Sequence, residues 1–191
     1  GQGGPQDVGQ VSRQGVEVGV LERVIAGIVV LIAGGFTLYP RLTPDVWIHV
    51  DNGHGTSMTV SIDGEDLDPA HFELSEDELR IPDVPEQFVL SCVTRLRPQE
   101  NSSLEGLYKS HSMFCTQCEA EGFRKITYYL DRPDVMSVFT VTMVADPARY
   151  PVLLSNGNLL EQGELEDGRH YALWQDPFPK PSYLFALVAG D

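Results

Sequence analysis

Two cysteines in a CxxC spacing, Cys115 and Cys118, are the residues of this sequence whose types and spacing most invite a chemical role. Thiolates at this spacing bind zinc or form a redox pair, and His111 lies close before them. A structural zinc site commonly needs a second pair of ligands, whereas Cys92 stands alone. A thioredoxin-like pair needs a βαβ setting, which the surrounding pattern does not predict. We therefore interpret both cysteines as small buried thiols that pack against a sheet.

Complete catalytic motifs are absent from the sequence. It contains no HExxH, no GxSxG, no P-loop and no GxGxxG pattern. His49 and His54 are five residues apart and do not form a zincin pair. The residues therefore predict no catalytic residue and no metal ligand within this chain.

The charge of the chain excludes one class of partner. Lys plus Arg number 13 and Asp plus Glu number 28, which gives a net charge of -15. Such a chain repels phosphate backbones, and no basic patch offsets the repulsion, so we expect no nucleic-acid partner. Three cysteines, an odd number, do not suggest a disulfide framework, and a reducing, cytoplasmic setting fits them better.

The elements that must position any site are predicted to be strands from about Pro44 onwards. Short apolar or alternating runs are separated by turn sequences such as "DNGHG". Ser137–Ala145, "SVFTVTMVA", alternates with period two, which indicates a strand with two distinct faces. The other predicted strands before the C-terminal half are Val46–Val50, Met58–Ile62, Glu78–Ile81 and Gln87–Leu96.

Turn signals predict an antiparallel meander in the C-terminal half. Asn156-Gly157 lies between two apolar runs, and Asp167-Gly168 lies between two more, and each pair predicts a β-hairpin. Ser182–Gly190 is predicted to be the last strand. The prolines before it predict a stiff connection: Pro177, Pro179 and Pro181.

Helices are predicted to be few and short. The candidates lie around Glu119–Arg124 and after Pro133. The fold class predicted from the sequence is therefore mainly β, with antiparallel sheets in a saddle- or sandwich-like domain and one or two short helices.

Residues 1–45 differ from the rest and are left unassigned. Val24–Pro40 carries no charge, and its length is at the lower limit for a membrane span, about 17 to 25 residues. It could also be a signal-peptide core, although no basic start precedes it. The interpretation we prefer is a pair of buried strands broken at Gly34-Gly35. We expect the residues before about Pro44 to pack poorly against the β domain.

The sequence around the cysteines carries a family resemblance. "SSLEGLYKSHSMFCTQCEAEGFRKITYYLDRPDVMSVF", which runs from Ser102 to Phe139, is joined by "YPVLLSNGN" and "GELEDGRHYALWQDPFPKPSYLFALVAGD". Together they closely resemble the N-terminal domain of bacterial aminopeptidase N. The members of this family are zinc aminopeptidases of the gluzincin class. The resemblance is specific from about Leu104 to Asp191, looser from Val46 to Asn101 and absent before Pro44. It assigns residues 46–191 to one domain of this type.

The resemblance implies a multidomain enzyme that removes single residues from peptide N-termini. In that family a saddle-shaped β domain precedes a thermolysin-like domain that holds zinc through HExxH and a distant Glu. The implied zinc ligands thus lie outside this chain, which should bind no cofactor and be inactive alone. The implied partners are the catalytic domain of its own full-length chain and a peptide N-terminus. A membrane partner is not expected.

The resemblance also names two substrate-binding residues. It implies that Glu119 helps to bind the free α-ammonium of the substrate and that Gln117 lines the first side-chain pocket. From the residues alone, Glu119 is a solvated acid on a short helix and Gln117 is a polar loop residue. Glu121 and Arg124 are predicted to pair across one turn. Tyr128-Tyr129 are predicted to pack in the core or at the interface with the catalytic domain.

Two other classes of function remain open from the sequence. One is a non-catalytic binding module on the same β scaffold, because a fold does not fix a function. The other is a membrane-anchored protein that uses Val24–Pro40.

Overall fold

The protein folds into antiparallel β-sheets, as predicted. The computed structural model describes residues 29–34, 46–49, 58–75, 78–85, 88–94 and 96–191. In chain order its strands are β1 (Val29–Gly34), β2 (Val46–His49), β3 (Met58–Ile62), β4 (Glu65–Asp66), β5 (Glu73–Leu74), β6 (Glu78–Ile81), β7 (Leu90–Thr94), β8 (Gly106–Ser110), β9 (Met113–Gln117), β10 (Ser137–Ala145), β11 (Val152–Ser155), β12 (Asn158–Glu164), β13 (His170–Lys180) and β14 (Leu187–Gly190).

Two four-stranded sheets enclose the main core. Their strand orders are β1-β10-β13-β12 and β11-β14-β9-β8. Buried side chains from both sheets and from the loops between them form one continuous cluster. This arrangement is the sandwich architecture that the predicted fold class describes. Members of the cluster include Phe114, Phe139, Val141, Met143, Leu153, Leu187 and Ala189.

Two three-stranded sheets enclose a second, smaller core. Their strand orders are β2-β6-β5 and β4-β3-β7. Val60, Leu79, Ile81, Leu90 and Cys92 are buried together there. Tyr128 and Leu130 also pack against this second cluster. Tyr129, which lies between them in the chain, belongs to the main core, so this segment joins the two cores.

Strand β10 has the two faces that its sequence predicts. Buried and half-buried residues alternate along all of Ser137–Ala145. Phe139, Val141 and Met143 point into the main core, each at most 2% exposed. The strand pairs with β1 on one side and β13 on the other, so its backbone is hydrogen-bonded along both edges.

The hairpin predicted at Asn156-Gly157 is wrong. The strands on either side of it, β11 and β12, belong to different sheets: β11 pairs with β14, and β12 pairs with β13. The turn itself exists, since Gly157 has φ +87°. A Cβ on Gly157 would lie 2.1 Å from the carbonyl oxygen of Gln175, so the glycine lets the chain cross closely over β13 from one sheet to the other.

The hairpin predicted at Asp167-Gly168 is confirmed. Strands β12 and β13 pair antiparallel, beginning with Glu164 opposite His170. Gly168 has φ +84°, the backbone conformation that such turns require. The meander is therefore limited to this part of the C-terminal half.

The prolines do not form a separate connection before the last strand. Pro177 and Pro179 lie inside β13, beyond Gln175, where the pairing with β12 ends. A proline lacks the N–H that a ladder needs, so it is tolerated there. Only the final residues of the predicted last strand are extended, as β14, because Ser182–Leu184 forms a 3₁₀ turn.

Of the two predicted helices, the first overlaps a 3₁₀ turn and the second is not helical. A 3₁₀ turn, Phe123–Lys125, overlaps the first candidate. The residues after Pro133 form a turn and no helix. Throughout the described ranges, the helical segments are three-residue 3₁₀ turns.

Part of the unassigned N-terminal segment joins the main sheet. Strand β1 pairs antiparallel with β10, with Val29 opposite Val144 and Gly34 opposite Phe139. The strand interpretation of the apolar run therefore holds for these six residues, and the expectation that residues before about Pro44 pack poorly stays a prediction. The other residues before Pro44 lie outside the described ranges. Among the residues that the structure describes, no helix is long and apolar enough to span a membrane.

Candidate functional site

The candidate site is the loop between β9 and the 3₁₀ turn Phe123–Lys125. Gln117 is the last residue of β9, and Cys118, 3% exposed, anchors the next position in the main core. Glu119 follows and is exposed, as is Gln117. The side-chain amide Nε2 of Gln117 donates a hydrogen bond to the backbone oxygen of Glu119 over 3.2 Å. The two predicted site residues are thus brought together, and the peptide bond from Glu119 to Ala120 is cis.

Close backbone contacts fix the shape of this loop, which we call the Glu119 loop (residues 118–122). The N–H of Gly122 donates to the carbonyl oxygen of Cys118 over 2.8 Å. A Cβ on Gly122 would lie 2.3 Å from the carbonyl oxygen of Gln117 and 3.1 Å from the nitrogen of Gly106. Real Cβ atoms do not approach backbone so closely, so the loop folds back on itself and onto β8 only because residue 122 is glycine.

An aromatic cluster holds the C-terminal end of the Glu119 loop. Phe123 is fully buried, and its ring meets three others edge to face. The centroid distances are 4.8 Å to Tyr129, 5.0 Å to Phe185 and 5.8 Å to Phe139. Tyr129 thus packs in the core, as predicted, and its hydroxyl donates to Ser137 Oγ over 2.6 Å.

A buried carboxylate lies beneath the same loop. The Asp131 side chain is 1% exposed, and its Oδ2 accepts from the backbone N–H of Arg124 over 2.9 Å and from Arg124 Nε over 3.3 Å. Ser182 Oγ donates to Asp131 Oδ1. Arg124 Nη2 donates to the backbone oxygen of Asp131 over 2.7 Å and lies 3.3 Å from Glu121 Oε1. The predicted pairing of Glu121 with Arg124 is confirmed.

The two CxxC cysteines lie in different environments. Cys115 is half-buried and stands opposite Tyr108 on β8, whereas Cys118 belongs to the main core. Burial, together with the charge of Asp131, raises the pKa of Cys118 to about 12. Among the described residues, no group of three or more His, Cys, Asp or Glu side chains is placed to hold a metal ion. Zinc therefore has no fitting donor set in this part of the chain.

The sheet that carries Gln117 has an apolar outer face. Cys115 lies opposite both Tyr108 and Val188, and Val188 lies opposite Leu154, so these four form one row across the sheet. Leu154 is 46% exposed. Met113, 38% exposed, and Val152, 43% exposed, extend the face along the strands. We call these six residues the outer face; Gln117 stands at its edge, two residues beyond Cys115 on β9.

The chemistry that the site offers comes from the carboxylate of Glu119. Within the described residues it makes no hydrogen bond or ion pair, although its backbone is held by the contacts above. An exposed anion on a fixed loop is suited to bind a cationic group by a charge-assisted hydrogen bond.

Comparison with known proteins identifies the family. Residues 48–184, more than half of the chain, match the family described as Peptidase M1 N-terminal domain. The chain belongs to the peptidase M1 N-terminal domain family. This confirms the resemblance that the sequence carries.

Individual members of the peptidase M1 family support the assignment. Aminopeptidase N of Escherichia coli (strain K12) is 52% identical over 149 residues, which cover 72% of this chain and 17% of that protein. The crystal structure of Legionella pneumophila aminopeptidase A in complex with aspartic acid has a TM-score of 0.72 at 33% identity, covering 86% of this chain and 19% of that chain. An M1 zinc metallopeptidase from Deinococcus radiodurans, solved with a Tyr-Ser-Ala substrate, shares the fold with a TM-score of 0.65 at 13% identity, covering 86% of this chain and 38% of that chain. The chain thus spans about a fifth or less of the first two relatives.

One residue of the site was missed by reasoning from the sequence. Asp131 carries no motif, and an acid in "YLDRPD" suggests only a solvated turn. Its side chain accepts a hydrogen bond from Ser182, 51 residues further along the chain. No signal in the local sequence could have revealed that contact.

Proposed function

We propose that this domain is the N-terminal part of a zinc metalloaminopeptidase that releases single residues from peptide N-termini. Within it, Glu119 binds the substrate α-ammonium and Gln117 lines part of the first side-chain pocket. The observation that carries the proposal is the exposed carboxylate of Glu119, without a partner in the described residues, on a loop that backbone contacts hold in place.

A carboxylate at this position can recognise the charged end of a peptide. An exopeptidase must distinguish a charged N-terminus from an internal peptide segment. A fixed carboxylate pairs with the ammonium and leaves an internal segment, which has none, without that contact. The amide of Gln117 donates to the backbone of Glu119, and this bond keeps the anchor and the pocket residue in a fixed relation.

The partner that we propose is a catalytic domain of the same polypeptide. It would supply the zinc ligands and the general base, for which the described residues offer no donor set. The outer face supports the proposal of such a partner, because its exposed apolar residues lie on the same sheet face as Gln117. A contiguous exposed apolar area is typical of an interaction surface. By itself, the chain should show no peptidase activity and bind no stoichiometric zinc.

We also propose a cytoplasmic location for the enzyme. The support is the state of its cysteines: Cys92, Cys115 and Cys118 are all free thiols. Free thiols are typical of a reducing compartment.

The test uses a chimeric enzyme in which this domain replaces the matching residues of Escherichia coli aminopeptidase N. Glu119→Gln keeps the shape of the side chain and removes its charge. Loss of the charge-assisted bond in a partly desolvated pocket should cost about 2 to 4 kcal/mol in kcat/KM. This corresponds to roughly a thirty-fold to several-hundred-fold loss on aminoacyl anilides.

Controls separate the anchor from other effects. For substrates with a blocked α-amine, Glu119→Gln should lower kcat/KM less, because these substrates never make the contact with Glu119. Glu166→Gln removes an exposed charge of the same kind from a distant turn and should leave kcat/KM unchanged. Gln117→Ala should change the preference among first residues, and zinc content should stay constant in all variants. If the Glu119→Gln enzyme cleaves free-amine peptides at the wild-type rate, Glu119 is not the anchor and is a solvated surface acid.

A further inference from the structure

We propose that Asp131 is a positioning residue for the substrate amine, acting through the Glu119 loop, which it ties to the main core. The inference rests on the proposed role of Glu119 and adds a residue that the family assignment and the sequence motifs do not name.

Several hydrogen bonds converge on Asp131. Oδ2 accepts from the backbone and the Nε of Arg124, Oδ1 accepts from Ser182, and the backbone oxygen accepts from Arg124 Nη2. Asp131 therefore joins the 3₁₀ turn that ends the Glu119 loop to a second 3₁₀ turn, Ser182–Leu184, which leads into β14. The ring of Phe123, in the first turn, also packs edge to face on Phe185, which ends the second turn, so the carboxylate adds a polar link to this apolar contact.

The carboxylate of Asp131 is buried more deeply than the cation that it meets. Asp131 is 1% exposed at its side chain, whereas its cation Arg124 is 20% exposed. A buried carboxylate whose donors are all in place holds a single arrangement, since any displacement leaves a charge unpaired in a poorly solvated place. Cys118 lies near enough that the Asp131 charge helps to raise its pKa.

Glu121, the other carboxylate that contacts Arg124, is poorly suited to this role. The Glu121 side chain is 65% exposed, and the contact that the structure gives for it is with Arg124 Nη2. Solvent screens such a pair, and it adds little to the rigidity of the loop. Asp131 bonds the backbone of the 3₁₀ turn itself and so fixes where Glu119 stands relative to the core.

The experiment is a double-mutant cycle in the same chimeric enzyme. Asp131→Asn alone should lower kcat/KM for free-amine anilides by about tenfold to a hundredfold, mainly through KM, because a displacement near 1 Å of a positioning group has effects of this size. In the Glu119→Gln background, the same change should lower kcat/KM by less than about threefold, since the anchor it positions is already lost. Substrates with a blocked α-amine should respond weakly to either change.

A matched control is a second buried carboxylate with a cation of its own. Asp176 is 6% exposed and pairs with Lys180 within the same strand, β13. Asp176→Asn should destabilise the domain in thermal unfolding but leave KM for free-amine substrates unchanged. A purely structural role of Asp131 would give the same behaviour as Asp176.

The outcomes distinguish the two proposals. If Glu119→Gln lowers kcat/KM and Asp131→Asn does not, or if their effects multiply, the positioning role is wrong and the anchor role stands. If Glu119→Gln has no effect, both roles are wrong. Should Asp131→Asn fail to fold, Arg124→Lys takes its place in the cycle, because the lysine keeps the charge but cannot span Asp131 Oδ2 and the Asp131 backbone oxygen together. Independent effects of Arg124→Lys and Glu119→Gln would overturn the inference.

Discussion

Replacement of Phe123 by alanine tests the account of how the Glu119 loop is anchored. Phe123 is fully buried, and its ring lies edge to face against three rings, with centroid distances of 4.8, 5.0 and 5.8 Å. Each such contact contributes about 0.5 to 1.5 kcal/mol beyond area burial, and a Phe-to-Ala change in a core costs about 3 to 5 kcal/mol. We place Phe123→Ala at the upper end of this range, since all sides of the ring are in contact.

The assay is thermal and urea unfolding of the chain, followed by circular dichroism. For a domain of this size, each kcal/mol lowers Tm by roughly 2 to 4 °C, so Phe123→Ala should lower it by about 8 to 20 °C. The matched control is Phe178→Ala, the same chemical change at a position that is 74% exposed. It should change the free energy of unfolding by less than about 0.5 kcal/mol. Equal shifts for the two variants would refute the assignment of Phe123 to the anchor of the loop.

Two further predictions concern the same region. Gly122→Ala should lower the free energy of unfolding, measured in urea, by about 1 to 3 kcal/mol, because the added Cβ meets backbone atoms. The backbone itself is no obstacle, since the φ of −81° suits any residue. An unchanged urea midpoint would contradict the close approach of backbone to Gly122. In the native chain at about pH 8, Cys115 should react with Ellman's reagent well before the other two cysteines, because burial raises the pKa of Cys92 and of Cys118 to about 12 and keeps both thiols protonated. Reaction of all three thiols at one rate would show that the two cores do not protect them.

The candidate site was only partly accessible from the sequence. The family motif supplied Gln117 and Glu119, and the structure brings them together through a bond from the side-chain amide of Gln117 to the backbone oxygen of Glu119. Their roles in substrate binding stay predictions. Asp131 was not predicted, because its side chain is bonded to Ser182, 51 residues further along the chain, and local patterns do not encode such a contact.

The sequence by itself determined the position of several strands and, for β10, which face is buried. The alternation of side chains predicted for Ser137–Ala145 is observed along the whole of β10, because a period of two follows from the pleat of a single strand. It also determined the turns, since Gly157 and Gly168 both adopt the positive φ that their residue type permits. Only the tertiary structure decided which strands pair. Asn156-Gly157 and Asp167-Gly168 give the same local signal, yet one turn joins two sheets and the other closes a hairpin. The difference arises because β14, more than twenty residues further along the chain, takes β11 as its partner, and a contact at that separation depends on the packing of the whole core.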